Sequence, residues 1–173
     1  MKAVTRLMCG VVFGLLRRAL IVMFLMASYN TSALDLDWGA VTSLSNRYTA
    51  SEPKIAFSSD GTKATAVWFS SNGLSIVVQS RSATIRGNTA TWGEVTTNLS
   101  AVGRTAKKHQ IALSVDGTKA TAVWRRSDGS NDIIQSRSAT ISGNTATWGE
   151  VTTDLSASGQ DAEDPQISFS SDG

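Results

Sequence analysis

A tandem repeat constrains the fold of this chain more than any other feature of its sequence. The run from Ile55 to Trp68 returns 56 residues later as the run from Ile111 to Trp124. Between 55–100 and 111–156, 34 of 46 aligned residues are identical. A repeat of this length predicts one supersecondary unit per copy, stacked so that neighbouring copies bury each other's apolar faces.

Each unit carries the pattern of four short strands and shows no helical period. In the first unit we predict strands at residues 54–58, 63–69, 76–85 and 89–97. Asp60-Gly61 and Gly87-Asn88 supply residues that accept the positive φ of tight turns. The sequence therefore predicts an all-β fold of tandem four-stranded antiparallel sheets, arranged as the blades of a truncated β-propeller.

The repeat also sets the predicted segments of the chain. These are 1–33 as a signal peptide, 34–52 as the outer strand of a preceding or closing blade, 53–108 as the first blade, 109–164 as the second, and 165–173 as the truncated start of a third. Two complete blades cannot close a ring of about four to eight, so we expect a fragment or a truncated reading frame. A ring of several short chains is the alternative, and unpaired blade faces predict self-association.

The N-terminal segment has the organisation of a secretory signal peptide. Arg17 and Arg18 precede an apolar run of nine residues, Ala19 to Ala27, and small residues follow at Thr31-Ser-Ala33. Nine residues are too few to span ~30 Å of hydrocarbon as a helix. We therefore expect a secreted, periplasmic or cell-surface protein with no membrane span in its mature part. An uncleaved signal anchor is the alternative, and the only cysteine, Cys9, lies in this segment.

The charge balance argues against a nucleic acid as partner. The chain has 16 Lys and Arg against 14 Asp and Glu, but four of the basic residues precede residue 34, where no acid occurs. The mature part is therefore slightly acidic. Proteins that bind nucleic acids usually carry a basic patch or stripe, and the adjacent Lys107 and Lys108 do not make one.

Two short motifs resemble those of known propeller families. The run from Phe57 to Lys63 (FSSDGTK) resembles the F-S-P-D-G-K-K turn of the WD40-like repeats in TolB-type propellers, with Ser59 in place of Pro. Ser80-Arg-Ser82, followed by TWGEVT from Thr91, resembles the strands around the Asp-box (BNR) repeat of sialidase-like propellers, without the Asp-box itself. The resemblance implies a propeller fold. It also implies an alternative function, as part of a sialidase-like glycoside hydrolase whose catalytic blades are missing.

Residues with catalytic or metal-binding chemistry are scarce. The resemblance implies a sialidase-like site with an arginine cluster and a tyrosine nucleophile, but the mature part has only Tyr48. Arg81 and Arg137 recur at one place in each unit, which favours a structural role. His109 is the only histidine and replaces Pro53 of the first unit, so we interpret it as structural or exposed. We predict no catalytic residue, no metal site and no cofactor.

Two loops of the second unit are acidic. Asp128 to Asp132 and Asp161 to Asp164 hold oxygen ligands of the kind that calcium prefers. Neither loop has the spacing of an EF-hand, and the equivalent loops of the first unit lack the acids. We therefore interpret both loops as solvated turns rather than as a calcium site.

The two copies differ mainly in two connections, which we call the variable rim. One is the loop between the second and third strands, residues 69–78 in the first unit and 125–134 in the second. The other leads from the fourth strand to the next unit, residues 101–110 and 157–166. Both lie at the same end of a four-stranded antiparallel sheet, and loops on a rigid scaffold are where binding residues gather. The predicted ligand contacts are Arg104, Lys107, Lys108, Arg125, Arg126, Asp128 and Asp132.

The sequence thus favours an exported, non-enzymatic, propeller-like module that binds a glycan or a protein through the variable rim. The sialidase-like fragment is the enzymatic alternative. A non-functional truncated gene product is the third hypothesis, because the high identity between copies indicates recent duplication.

Overall fold

The computed structural model describes residues 40–45, 49–71, 73–93, 97–150, 153–157 and 159–172, all within the compact unit Trp38–Gly173. The predicted signal peptide lies outside the described residues. Across the described ranges, no helix is long and apolar enough to cross a membrane.

Two antiparallel sheets make up the described part. The first contains β1 (Thr49–Phe57), β2 (Lys63–Ser71), β3 (Ile76–Arg86), β4 (Thr89–Trp92) and β5 (Thr97–Asn98). Its order is β1-β2-β3-β4, and β5 also pairs with β3, so that β4 and β5 together form the fourth row. The second sheet contains β6 (Ala106–Leu113), β7 (Lys119–Ser127), β8 (Asp132–Ser142), β9 (Thr145–Trp148) and β10 (Thr153–Asp154), in the same arrangement.

The two sheets also share one register. Trp68 pairs with Gln79 in the first, and Trp124 pairs with Gln135 in the second. The predicted all-β fold with four antiparallel strands per unit is therefore confirmed, and the described strands form two open sheets. Residues 165–170, in the predicted start of the third copy, pair with no described strand.

An aspartate shapes the turn between the first two strands of each sheet. Asp60 Oδ1 accepts hydrogen bonds from the Ser58 hydroxyl (2.7 Å) and the Thr62 amide (2.9 Å), and Gly61 has a φ of 69°. The same contacts recur around Asp116. There the hydroxyl hydrogen bond, followed by the amide, lowers the pKa of the carboxyl to about 2. The turn is thus built from local donors and keeps one shape in both units.

The apolar core lies between the two sheets. The first sheet contributes Val67 and Phe69 of β2, and the second contributes Ala120, Ala122 and Trp124 of β7. Alternate residues of a strand point to opposite faces, so β7 directs its two alanines and its tryptophan toward the first sheet. The alanines allow close approach, and Trp124, which is 0% exposed, fills the remaining space. Truncating a tryptophan in such a place costs about 3–5 kcal/mol.

A repeated arginine ties each sheet to the chain segment before it. Arg137 Nε donates to the Gly149 carbonyl in its own sheet, and Nη1 donates to the Asn98 carbonyl of the first sheet at 3.0 Å. Arg81 repeats this arrangement and reaches back to the Ser43 carbonyl at 3.2 Å. These bonds between neighbouring segments explain why an arginine recurs at the same place in each unit.

Gly93 marks a very close approach of the two sheets. A Cβ added to it would lie 2.3 Å from the carbonyl oxygen of Asn144, in the turn between β8 and β9. Its φ is outside the positive region, so the glycine is needed for space rather than for its conformation. Gly149 holds the same place in the second sheet, where an added Cβ would make an ordinary contact of 3.5 Å with the Ser138 carbonyl oxygen.

We expect Gly93→Ala to lower the free energy of unfolding by about 1–3 kcal/mol, because the added methyl group forces two backbones apart. Gly149→Ala is the matched control and should change that free energy much less. Urea unfolding of the two variants beside the parent chain checks this, and equal losses in both would contradict the close approach.

Candidate functional site

The variable rim of the second sheet lies where β6 begins and β7 ends. The structure brings all seven predicted ligand contacts to this end of the sheet. Lys107 and Arg125 are partners across the β6–β7 ladder, and Ala106 is the partner of Arg126. Arg104, in the connection before β6, donates from Nη1 to the Ser127 carbonyl at 3.4 Å. The seven residues differ, however, in how far their side chains are free to meet a ligand.

Arg125 is engaged in contacts within the chain. Its Nη1 lies 2.5 Å from Glu163 Oε1 and 3.3 Å from Asp132 Oδ2, and its side chain is only 12% exposed. Asp161 adds a further link, because its Oδ1 accepts a hydrogen bond from the Asp132 amide at 2.8 Å. Together these contacts fasten the segment 159–164 onto the rim, so Arg125 stabilises the rim itself.

Arg126 and Asp128 also have partners nearby. Arg126 Nη1 donates to Gln135 Oε1 at 3.1 Å. Asp128 Oδ1 accepts hydrogen bonds from the amides of Asn131 (2.8 Å) and Ser130 (2.7 Å), and these bonds lower the pKa of the Asp128 carboxyl. Both side chains therefore shape the loop between β7 and β8.

Three cations remain on the outside of the rim. Arg104 is exposed, and its guanidinium lies against Gly129, where an added Cβ would come within 2.9 Å of Nη1. Lys108 Nζ lies 3.2 Å from Asp164 Oδ1, and the lysine side chain is 56% exposed. The side chain of Lys107 is exposed and makes no ion pair or hydrogen bond with the described residues. These three residues form the accessible part of the predicted contact set.

A β-bulge recurs at this rim. The β6–β7 register shifts between Lys107 and Gln110, and the β1–β2 register shifts at the equivalent place. Within each bulge one residue other than glycine has a positive φ: Glu52 (50°) in β1 of the first sheet and Lys108 (54°) in β6 of the second. Asp164 (47°) holds the same position in the third copy. Each unit thus places one charged residue at the same point of the rim.

The position of Arg125 has a different chemistry in the first sheet. Its equivalent there is Phe69, whose ring meets the ring of His109 edge-to-face, with centroids 4.3 Å apart and an angle of 80°. His109 is 0% exposed, and its ring lies beside the backbone of Glu52 and Val67. Burial lowers the pKa of His109. The histidine is therefore a neutral core residue that joins the two units.

The pairing of Arg125 with Glu163 was not predicted from the sequence. Both residues differ from their equivalents in the first unit, which are Phe69 and Lys107. Many other positions also differ between the two copies, so these changes alone do not single out a contact. The acids of the two loops are likewise engaged with Arg125 and with backbone amides. No group of three metal-binding side chains occurs within the described ranges.

In comparisons with known proteins, no family model, no curated protein and no solved structure matches the chain.

We expect Arg125→Ala to loosen the segment 159–164 and to lower the free energy of unfolding by about 1–2 kcal/mol, because Asp132 loses its cation in a half-buried place. Lys107→Ala, which removes an exposed cation without a partner, is the control and should leave stability nearly unchanged. Amide hydrogen exchange at Asp132 and Ala162, measured with thermal unfolding, checks both effects. Similar behaviour of the two variants would argue against the ion-pair network.

We expect stability to fall on mild acidification because of His109. The folded state holds the ring neutral with a lowered pKa, while the unfolded chain takes up the proton below a pKa of 6.5. The free energy of unfolding is then highest above that pH and falls below it by up to about 1.4 kcal/mol per pH unit.

His109→Phe keeps an aromatic ring beside Phe69 and should remove this dependence between about pH 6.5 and 5. The aspartates with lowered pKa values, such as Asp116, stabilise the fold throughout this window and lose that contribution only as pH falls below their ordinary pKa of 3.8. Urea unfolding at a series of pH values tests the assignment, and a parent chain whose stability does not change in this window would refute it.

Proposed function

We propose that the chain is an exported, non-enzymatic, β-propeller-like module that binds glycan or protein ligands through the variable rim. One observation carries the proposal: the two sheets keep most of their interface residues, while their rims differ in exposed charge. At the second sheet the rim presents Arg104, Lys107 and Lys108 to solvent. A constant scaffold with a changing rim is the arrangement in which loops set specificity.

The exposed residues favour a ligand with anionic groups. The guanidinium of Arg104 offers a planar fork for a carboxylate or sulfate, and the two lysines offer mobile point charges. Sulfated or carboxylated glycans and acidic protein segments carry such groups. The ion pairs of Arg125 hold the rim in one shape before the ligand arrives, which reduces the ordering cost of binding.

The serial arrangement of the units supports the propeller-like part of the proposal. Arg137 and Arg81 make the same backward contact, first to the first sheet and then to the segment 40–45. Units that repeat one contact in one direction form a regular array, and a propeller is such an array of four-stranded sheets.

We expect Lys107→Ala combined with Lys108→Ala to weaken binding to a sulfated or carboxylated glycan by about tenfold, equivalent to about 1.4 kcal/mol. The measurement is a glycan array, followed by titration of the strongest ligand and of an acidic peptide panel. Binding should also weaken with added salt, because the contacts are between exposed charges.

Arg86→Ala is the matched control, since Arg86 is an exposed cation at the opposite end of the first sheet. It should leave binding unchanged. Absence of binding across both panels would contradict the proposal, and so would equal losses in the control and the double variant.

A further inference from the structure

The outer face of the second sheet repeats the surface that the first sheet presents to it. On the first sheet, the hydroxyls of Thr65 and Ser82 lie 2.9 Å apart and are buried. Thr121 and Ser138 hold the same places in the second sheet, with hydroxyls 2.8 Å apart, but Ser138 is exposed. The same chemistry is thus covered in one sheet and open in the other.

A cavity of about 500 Å³ lies over this open face. The lining residues that matter here are Thr140 and Thr147 of the sheet, Gly149 after β9, and Phe169. Phe169 belongs to the segment 165–170, for which no described strand is a partner. In the repeat, this segment and the residues after it correspond to the end of β1 and the turn that follows. Seven of the nine residues from 165 to 173 match 53–61.

The contact between the two sheets shows what fits such a face. On the first sheet, the cover consists of Ala120, Ala122 and Trp124 of β7, with Ile141 of β8 and Trp148 of β9. The turn between β8 and β9 also approaches, because the Asn144 carbonyl lies against Gly93. The matching surface is therefore the second, third and fourth strands of the repeat.

We propose that the open face, together with segment 165–170, is an acceptor for a second polypeptide that carries these three strands. Its second strand pairs antiparallel with 165–170, as β2 pairs with β1. In that register Phe57 opposes Ala64 and Ile55 opposes Ala66, so Phe169 and Ile167 each oppose an alanine. The alanines and the tryptophan of the incoming strand then cover the cavity. The recognition combines strand addition with apolar burial.

Gly149 gives a direct test of this geometry. In the covered sheet, the equivalent Gly93 receives the Asn144 carbonyl, and a Cβ there would lie 2.3 Å from that oxygen. On the open face the incoming turn would meet Gly149 in the same way. Gly149→Val should therefore block the partner, while the nearest atom to its Cβ within the chain is the Ser138 oxygen at an ordinary 3.5 Å.

The probe is a synthetic peptide with the sequence of residues 119–148, labelled with a fluorophore and titrated with the full chain. We expect saturable binding of one peptide per chain, and binding weaker by at least about tenfold for Gly149→Val, or about 1.4 kcal/mol. Thermal unfolding of Gly149→Val confirms that it is folded. Thr140→Arg, a change at an exposed lining residue, provides a second blocking variant.

Two controls separate docking from non-specific adhesion. Thr89→Val changes an exposed residue of the first sheet and should leave binding intact. A peptide with Trp124→Ser should bind more weakly, because the tryptophan supplies most of the apolar cover. Absence of peptide binding overturns the proposal, as does equal binding by the parent chain and both blocking variants. Loss of binding in Thr89→Val would also overturn it.

Discussion

The close packing of one sheet on the next is the interaction on which the rest of the structure depends. Alanines on β7 and the bare Cα of Gly93 bring two backbones so near that Arg137 reaches a carbonyl of the preceding sheet. Each strand has one set of alternate residues facing one neighbour and the other set facing the opposite side. Both sets are then constrained at once, which limits the substitutions that either face of the sheet accepts.

The rim escapes this double constraint, and its contacts change in kind. In the first sheet, the position after the conserved tryptophan holds Phe69, which is buried against His109. In the second sheet, the same position holds Arg125, which is paired with Glu163 and Asp132. One backbone geometry thus accepts an aromatic pair or an ionic network, provided that both partners change together. This freedom at the rim, beside an interface that keeps most of its residues, is what the proposed binding function uses.

Local features of the fold were predictable, and features that depend on distant residues were not. The third strand was predicted at 76–85 and is Ile76–Arg86, because its turns and its alternation are local signals. The burial of Arg125 depends on Glu163, 38 residues away, so an arginine on a variable loop was placed among the ligand contacts. The core position of His109 depends on Phe69 in the same way. Segment 165–170 has the sequence of a strand but no ladder partner among the described strands.

The bulge residues have a consequence for assembly. Nearly identical repeats are exposed to mispairing, because any unit has a core that fits any other. At the bulge, however, successive units carry Glu52, Lys108 and Asp164, so the sign of the charge alternates along the chain. Lys108 meets the opposite charge of Asp164, whereas Glu52 and Asp164 would meet as like charges. Exposed pairs of this kind contribute only about 0–1 kcal/mol each. The bulge charge nevertheless distinguishes adjacent copies from copies two places apart, which interchangeable cores cannot do.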